Sequence, residues 1–113
     1  MFAGQNIEIT VPGATHLGGE FGTAHAARQD NIIILQGGLN LNGVVIEGSG
    51  SVGTLPVGYR PKTAQKFIVA TDKGARLLTV QMNGELILRA DGDLPGETFR
   101  EISFAGASFI AYF

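Results

Sequence analysis

The chain has no cysteine and no tryptophan among its 113 residues. Without thiols there is no disulfide, no thiolate nucleophile and no Cys-based zinc site. Charge is also scarce: Asp, Glu, Lys and Arg make up 16%, against about 25% in soluble domains generally. Lys and Arg number 8 against 10 acids, a formal net charge of -2. Binding to nucleic acid or to an anionic membrane needs clustered cations, so neither is an expected partner. No run approaches the roughly 18 apolar residues of a membrane helix. The opening MFAGQNIEIT has neither the basic nor the apolar region of a signal peptide.

Helix signals are nearly absent too. The best stretch, GTAHAARQD (22–30), carries only small apolar residues, so a helix there would bury little. It reads as loop or strand, with room for one helical turn.

What is present is glycine, 17 residues, and short apolar runs within a 44% hydrophobic composition. Ile7 to Val11 alternates and stops at Pro12-Gly13; Ile32 to Gln36 stops at Gly37-Gly38. Leu41 and Val44 to Ile46 flank an Asn42-Gly43 turn signal. Lys66 to Ala70, Arg76 to Met82, Glu85 to Ala90, Phe99 to Phe104 and Ser108 to Phe113 follow. Seven or eight short strands joined by Gly-rich turns predict an all-β fold, an antiparallel β-barrel or jelly-roll-like sandwich. At this length there is one core.

Asn83-Gly84 predicts a two-residue type I′ hairpin turn. That register sets Met82 against Glu85, Val80 against Ile87 and Leu78 against Arg89 on one face, with Thr79 and Leu88 together on the other. Both faces are then largely apolar, whereas an antiparallel sheet in a monomer normally has one wet face. Ile32 to Leu35 and Phe109 to Phe113 show the same two-sided character. Exposed, such strands aggregate, so sheets packed between copies in a homo-oligomer are expected, the alternative being a two-layer fold in which these few strands are all central. On this register Val80→Asp and Leu88→Asp separate, one breaking the fold and the other the assembly.

Catalytic and metal signals are weak. His16 and His25, the two histidines, lack nearby ligands at metal spacing and read as polar loop residues. Asp91-Gly92-Asp93 is half of a calcium loop and reads as a turn. No nucleophile elbow, phosphate loop or dinucleotide fingerprint occurs. No enzyme activity, metal or cofactor is expected. Sugars bind by stacking on aromatic faces and by hydrogen bonds to planar polar groups. The candidate ligand-binding residues are therefore Tyr59, Arg60, Arg76, Arg89, Asp91, Asp93 and Arg100, with Lys62 and Tyr112 as further exposed candidates.

The ordered segments NIIILQGGL, GTLPVGYRPKTAQKFIVATD, LLTVQMNGELIL and ISFAGASFIAYF resemble the C-terminal head domain of phage tail-fibre and baseplate receptor-binding proteins. The resemblance covers about residues 21–113, leaving 1–20 as an N-terminal strand or neck segment. Its most specific element is Leu-Pro-x-Gly-Tyr-Arg-Pro. It implies a homotrimeric β-barrel or jelly-roll-like head on a virion tail fibre or baseplate tip, or a prophage-encoded equivalent. The partners implied are further copies of itself, a host cell-surface glycan and the rest of the fibre or baseplate. A structural trimerisation cap with no receptor role is the alternative. A trimeric complement-like or tumour-necrosis-factor-like jelly roll shares the architecture but not the motif.

GTLPVGYRP (53–61) itself reads as a corner more than as a binding loop. Pro56 and Pro61 hold the preceding residues extended and donate nothing to a ladder. Pro56-Val57 fits the centre of a type I turn with Gly58 next. Tyr59 and Arg60 point to opposite sides, so one of them is packed. The receptor is then expected at the loops around 71–76 and 90–98 and at subunit boundaries.

Overall fold

A computed structural model of the protein describes residues 3–17, 23–90, 96–105 and 107–111. The fold is all-β, as expected, with twelve strands rather than seven or eight: β1 Ala3–Asn6, β2 Glu8–Ile9, β3 Thr15–His16, β4 His25–Gln29, β5 Ile32–Gln36, β6 Gly38–Ile46, β7 Ser49–Thr54, β8 Gln65–Thr71, β9 Gly74–Val80, β10 Glu85–Arg89, β11 Glu97–Ser103 and β12 Ser108–Ile110. An eight-stranded antiparallel sheet runs β2-β7-β10-β9-β8-β11-β6-β3, and a four-stranded sheet runs β1-β4-β5-β12. β6 and β7 lie near opposite ends of the large sheet yet are joined by only Glu47-Gly48. So short a link forces the sheet to curl into a nearly closed, barrel-like form. Residues 3–16 add strands to both sheets, and Ile7 and Val11 lie in the core.

One core joins the two sheets. Leu39, Leu41, Leu78, Val80, Leu86, Leu88, Phe99 and Ile102 come from the large sheet, and Ala26, Ile33, Leu35 and Phe109 from the small one. The rings of Phe67 and Phe109 meet across the layers at a centroid distance of 6.2 Å. The alanine-rich stretch is strand β4, paired on both sides by β1 and β5. Backbone pairing overrides the poor strand propensity of alanine, and Ala24 and Ala26 are fully buried. The backbone passes from one sheet to the other at Gly37-Gly38. A Cβ on Gly37 would sit 2.2 Å from the Thr23 carbonyl oxygen, and one on Gly38 would sit 2.4 Å from that of Ile102. Only glycine allows three backbones to converge there.

The β9–β10 hairpin departs from its predicted register. Val80 faces Leu86, Thr79 faces Ile87 and Leu78 faces Leu88. The Gly84 N–H donates to the Gln81 carbonyl (2.9 Å) and the Gln81 N–H to the Glu85 carbonyl (2.9 Å). Gly84 has φ +90, while Asn83 is not left-handed. This is a three-residue loop with a left-handed glycine, not a type I′ turn. The Asn83 carboxamide braces this loop: its Oδ1 accepts the Glu85 N–H at 3.0 Å and its Nδ2 donates to Glu85 Oε1 at 3.2 Å. A slip of one residue moves every partner to the other face. Leu78, Val80, Leu86 and Leu88 now share one fully buried face, so Val80 and Leu88 do not separate as predicted. Leu77, Thr79 and Ile87 form a half-buried outer face.

Apolar residues do reach the surface elsewhere. Ile32 and Ile110 face each other on β5 and β12, at 49% and 52% exposure. Ile68, opposite Leu77, is 69% exposed.

Candidate functional site

Asn42-Gly43 was expected to end a strand; the structure runs β6 straight through it. β11 pairs with β6 on both sides of the dipeptide, Phe99 with Val44 and Glu101 with Asn40. Three residues of β6, 41 to 43, therefore stand against the single residue Arg100. The excess is taken up as a bulge, with Asn42 at φ 55 and Gly43 at φ 71. Bulges re-aim side chains, and here Asn40, Asn42, Arg100 and Glu101 are all exposed and surround a hollow of about 390 Å³ floored by Gly43.

The backbone beneath these side chains is pinned. Asn40 Oδ1 accepts the Asn42 N–H at 3.0 Å. Asp72, in the tight turn between β8 and β9, reaches across to β11. Its Oδ1 accepts the N–H of Arg100 at 2.9 Å and of Glu101 at 3.2 Å. Partial desolvation pushes the Asp72 carboxyl up, but the N–H groups of Arg100, Glu101 and Asp72 itself, with the Lys73 charge, outweigh it. The net effect holds the carboxyl below its ordinary value. The turn is closed from within by Thr71, whose Oγ1 donates to the Gly74 carbonyl (2.7 Å) and accepts the Lys73 N–H (3.1 Å).

A second hollow, about 420 Å³, opens on the outer face of β8, β9 and β10. Leu77, Thr79 and Ile87 floor it, and Lys66, Gln81 and Arg89 stand at its rim.

The candidate binding residues scatter. Arg100 belongs to the bulge hollow and Arg89 to the second one. Arg76 turns to the barrel end and clasps Glu97 with both groups, Nε to Oε1 at 2.9 Å and Nη2 to Oε2 at 2.6 Å. Tyr59 is buried in the core. Arg60 is half-buried, its Nε donating to the Leu55 carbonyl at 3.0 Å. The turn before it is centred one residue later than expected, the Tyr59 N–H reaching the Pro56 carbonyl (3.1 Å) with Gly58 at φ +95. Glycine alone tolerates that third position, so it takes it. Asp91, Asp93 and Tyr112 lie outside the described residues. Asp72 lies in the 71–76 loop where the receptor is expected, but Asn40, Asn42 and Glu101 are not among the candidates. The signal for those three is an Asn-Gly pair inside a run that stays apolar-alternating on both sides.

His16 and His25 lie on strands rather than loops. Nδ1 of His16 accepts the Ala24 N–H at 3.1 Å. His25 contacts the Thr23 carbonyl oxygen (2.7 Å) and Gln36 Oε1 (2.9 Å). Among the described residues no three His, Asp or Glu side chains gather as a metal site.

No family model, curated protein or solved structure matches this sequence.

Proposed function

We propose that this domain is the tip of a phage tail fibre or baseplate, working as a homotrimer that binds a host cell-surface saccharide in the hollow at the β6–β11 bulge. One observation carries the binding half of the reading. Two carboxamides, a guanidinium and a carboxylate line one hollow on a backbone that Asn40 and Asp72 hold fixed. A sugar hydroxyl both donates and accepts, and these planar groups offer paired donors and acceptors at set spacing. A fixed backbone beneath the side chains lowers the entropy lost on binding. Glycoside hydrolysis uses two carboxyl groups; among the described residues that line the hollow, Glu101 is the one carboxylate, which favours binding over turnover.

The oligomeric half rests on the apolar strips Ile32–Ile110 and Ile68–Leu77, which a closed ring of copies would cover. The alternative, a trimerisation cap with no receptor, draws support from the absence of any aromatic platform among the described residues of either hollow. A screen of the protein against glycans and host-wall polysaccharides separates the two. Binding is expected, and weaker in Arg100→Ala; an intact trimer that binds no host surface makes the cap reading the right one. A stable monomer by sedimentation equilibrium at micromolar concentration rules out the oligomer.

A further inference from the structure

The sequence contains two Asn-Gly pairs, Asn42-Gly43 and Asn83-Gly84, and the fold treats them in opposite ways. We infer that Asn42 is a site of spontaneous backbone-driven deamidation, while Asn83 is held inert by its surroundings. The chemistry needs only the polypeptide and water. The Gly nitrogen attacks the Asn Cγ, a new C–N bond forms, and its proton passes to solvent base. Nδ2 takes a proton back from water, the bond from Cγ to Nδ2 breaks and ammonia leaves. Water then opens the resulting five-membered imide at either carbonyl, giving aspartate or isoaspartate. Glycine permits the reaction because no Cβ blocks the approach of its nitrogen to Cγ.

At Asn83 each requirement is blocked. The Gly84 N–H is committed to the Gln81 carbonyl at 2.9 Å and the Gly84 carbonyl to the Leu55 N–H at 2.8 Å. Both ends of the Asn83 amide are held by Glu85. Gly84 is buried, with Arg60 Nε and the Leu55 carbonyl filling the space beside its Cα. At Asn42 the dipeptide sits in the bulge, where no Cα partner on β11 faces it. Gly43 has open space around it, a Cβ built there meeting only Thr98 Cγ2 at 3.9 Å, and it lines the open hollow at the bulge.

The product changes the hollow. Arg100 and Glu101 balance there now; a carboxylate at position 42 leaves the lining with an excess negative charge. The inference stands whatever the hollow binds.

The test is incubation of the whole protein in warm, mildly alkaline buffer, followed by peptide mapping that resolves aspartate from isoaspartate. In native buffer the product at Asn42 is expected to exceed that at Asn83 by about tenfold or more, because Asn83 reacts only after local opening. In concentrated urea the two sites should convert at similar rates, which shows that the fold makes the difference. No conversion at Asn42 in native buffer, or equal conversion at Asn83, overturns the inference.

Discussion

The guanidinium Nε of Arg60 donates to the carbonyl oxygen of Leu55 at 3.0 Å, directly beneath Gly84. That bond closes the corner carrying Tyr59 and Arg60 on itself, and the Leu55 N–H, donating to the Gly84 carbonyl at 2.8 Å, fastens the corner to the tip of the β9–β10 hairpin. The most distinctive stretch of the sequence is a clamp between two segments of the fold.

Gly84 and Gly58 therefore make a controlled pair. Both have strongly positive φ, +90 and +95. A Cβ on Gly58 meets nothing within 4 Å, while one on Gly84 falls 2.6 Å from Arg60 Nε and 2.7 Å from the Leu55 oxygen. Gly58→Ala should cost only the left-handed backbone penalty, about 1–2 kcal/mol. Gly84→Ala should cost about 3 kcal/mol or more, since the clamp must also open. Thermal melts should show the gap as a clearly lower midpoint for Gly84→Ala, by roughly 4 °C per kcal/mol of difference. Equal midpoints would mean that the clamp contributes nothing.

Asp72 makes stability depend on acid in a definite direction. Its folded carboxyl lies below the ordinary 3.8. A depressed carboxyl stabilises the fold above its unfolded value, and that contribution disappears as pH falls through the lower folded one. Denaturant titrations across this acid range should show a shallower loss for Asp72→Asn than for the parent. Asparagine keeps the Oδ1 acceptor for Arg100 and Glu101, so the two proteins should differ little in geometry at neutral pH. Superimposable acid limbs would count against the linkage.

Carboxylate substitutions divide the two faces of the large sheet. Val80 and Leu88 are fully buried on the same face. An unpaired charge there costs several kcal/mol against a total of about 5–15, so Val80→Asp and Leu88→Asp should both unfold the domain, as read by circular dichroism. Ile68→Asp and Ile110→Asp lie on the outer faces, more than half exposed, and should cost the fold no more than about 0.5 kcal/mol. Under the homotrimer reading at least one of them shifts sedimentation equilibrium toward monomer. Two unaffected trimers would place the interface elsewhere.

Strands were legible because their cause is local: alternation and β-branched runs stopped by Gly and Pro. Pairing was not. Asn42-Gly43 and Asn83-Gly84 are the same dipeptide, yet one is a bulge and the other a hairpin loop. The difference is β11, which takes up its register with β6 on both sides of Asn42, a partner more than fifty residues away. The hairpin takes the register that gathers Leu78, Val80, Leu86 and Leu88 on one buried face, with a three-residue loop that Asn83 braces on Glu85; the Asn-Gly signal alone predicts the shorter turn. Arg76 reads as a binding candidate at the start of a strand until β9 and β11 place it against Glu97. The hollow stayed hidden for the same reason: Asp72 and Arg100 meet only through a hydrogen bond spanning 28 residues.

The hollow itself can be tested by asking whether its side chains matter to anything but binding. Asn42, Arg100 and Glu101 are exposed, and Arg100 is held through its backbone N–H, not its guanidinium. Arg100→Ala therefore leaves the Asp72 contact intact and should shift the melting midpoint little, within the change of about 0.5 kcal/mol usual for a surface site. If the guanidinium holds a sugar oxygen, its loss should weaken saccharide binding by about 1.5–3 kcal/mol, the worth of a hydrogen bond to a charged group, or roughly ten- to a hundredfold in Kd. Asn40→Ala is the sharper control, because it also removes the Oδ1 that accepts the Asn42 N–H. It should lower both affinity and stability, the latter by about 1 kcal/mol. Titration calorimetry with a saccharide found by screening, run beside thermal melts, reads both. An Arg100→Ala protein that melts normally and binds normally would move the receptor away from this bulge, with the hollow rimmed by Lys66 and Arg89 as the next place to look.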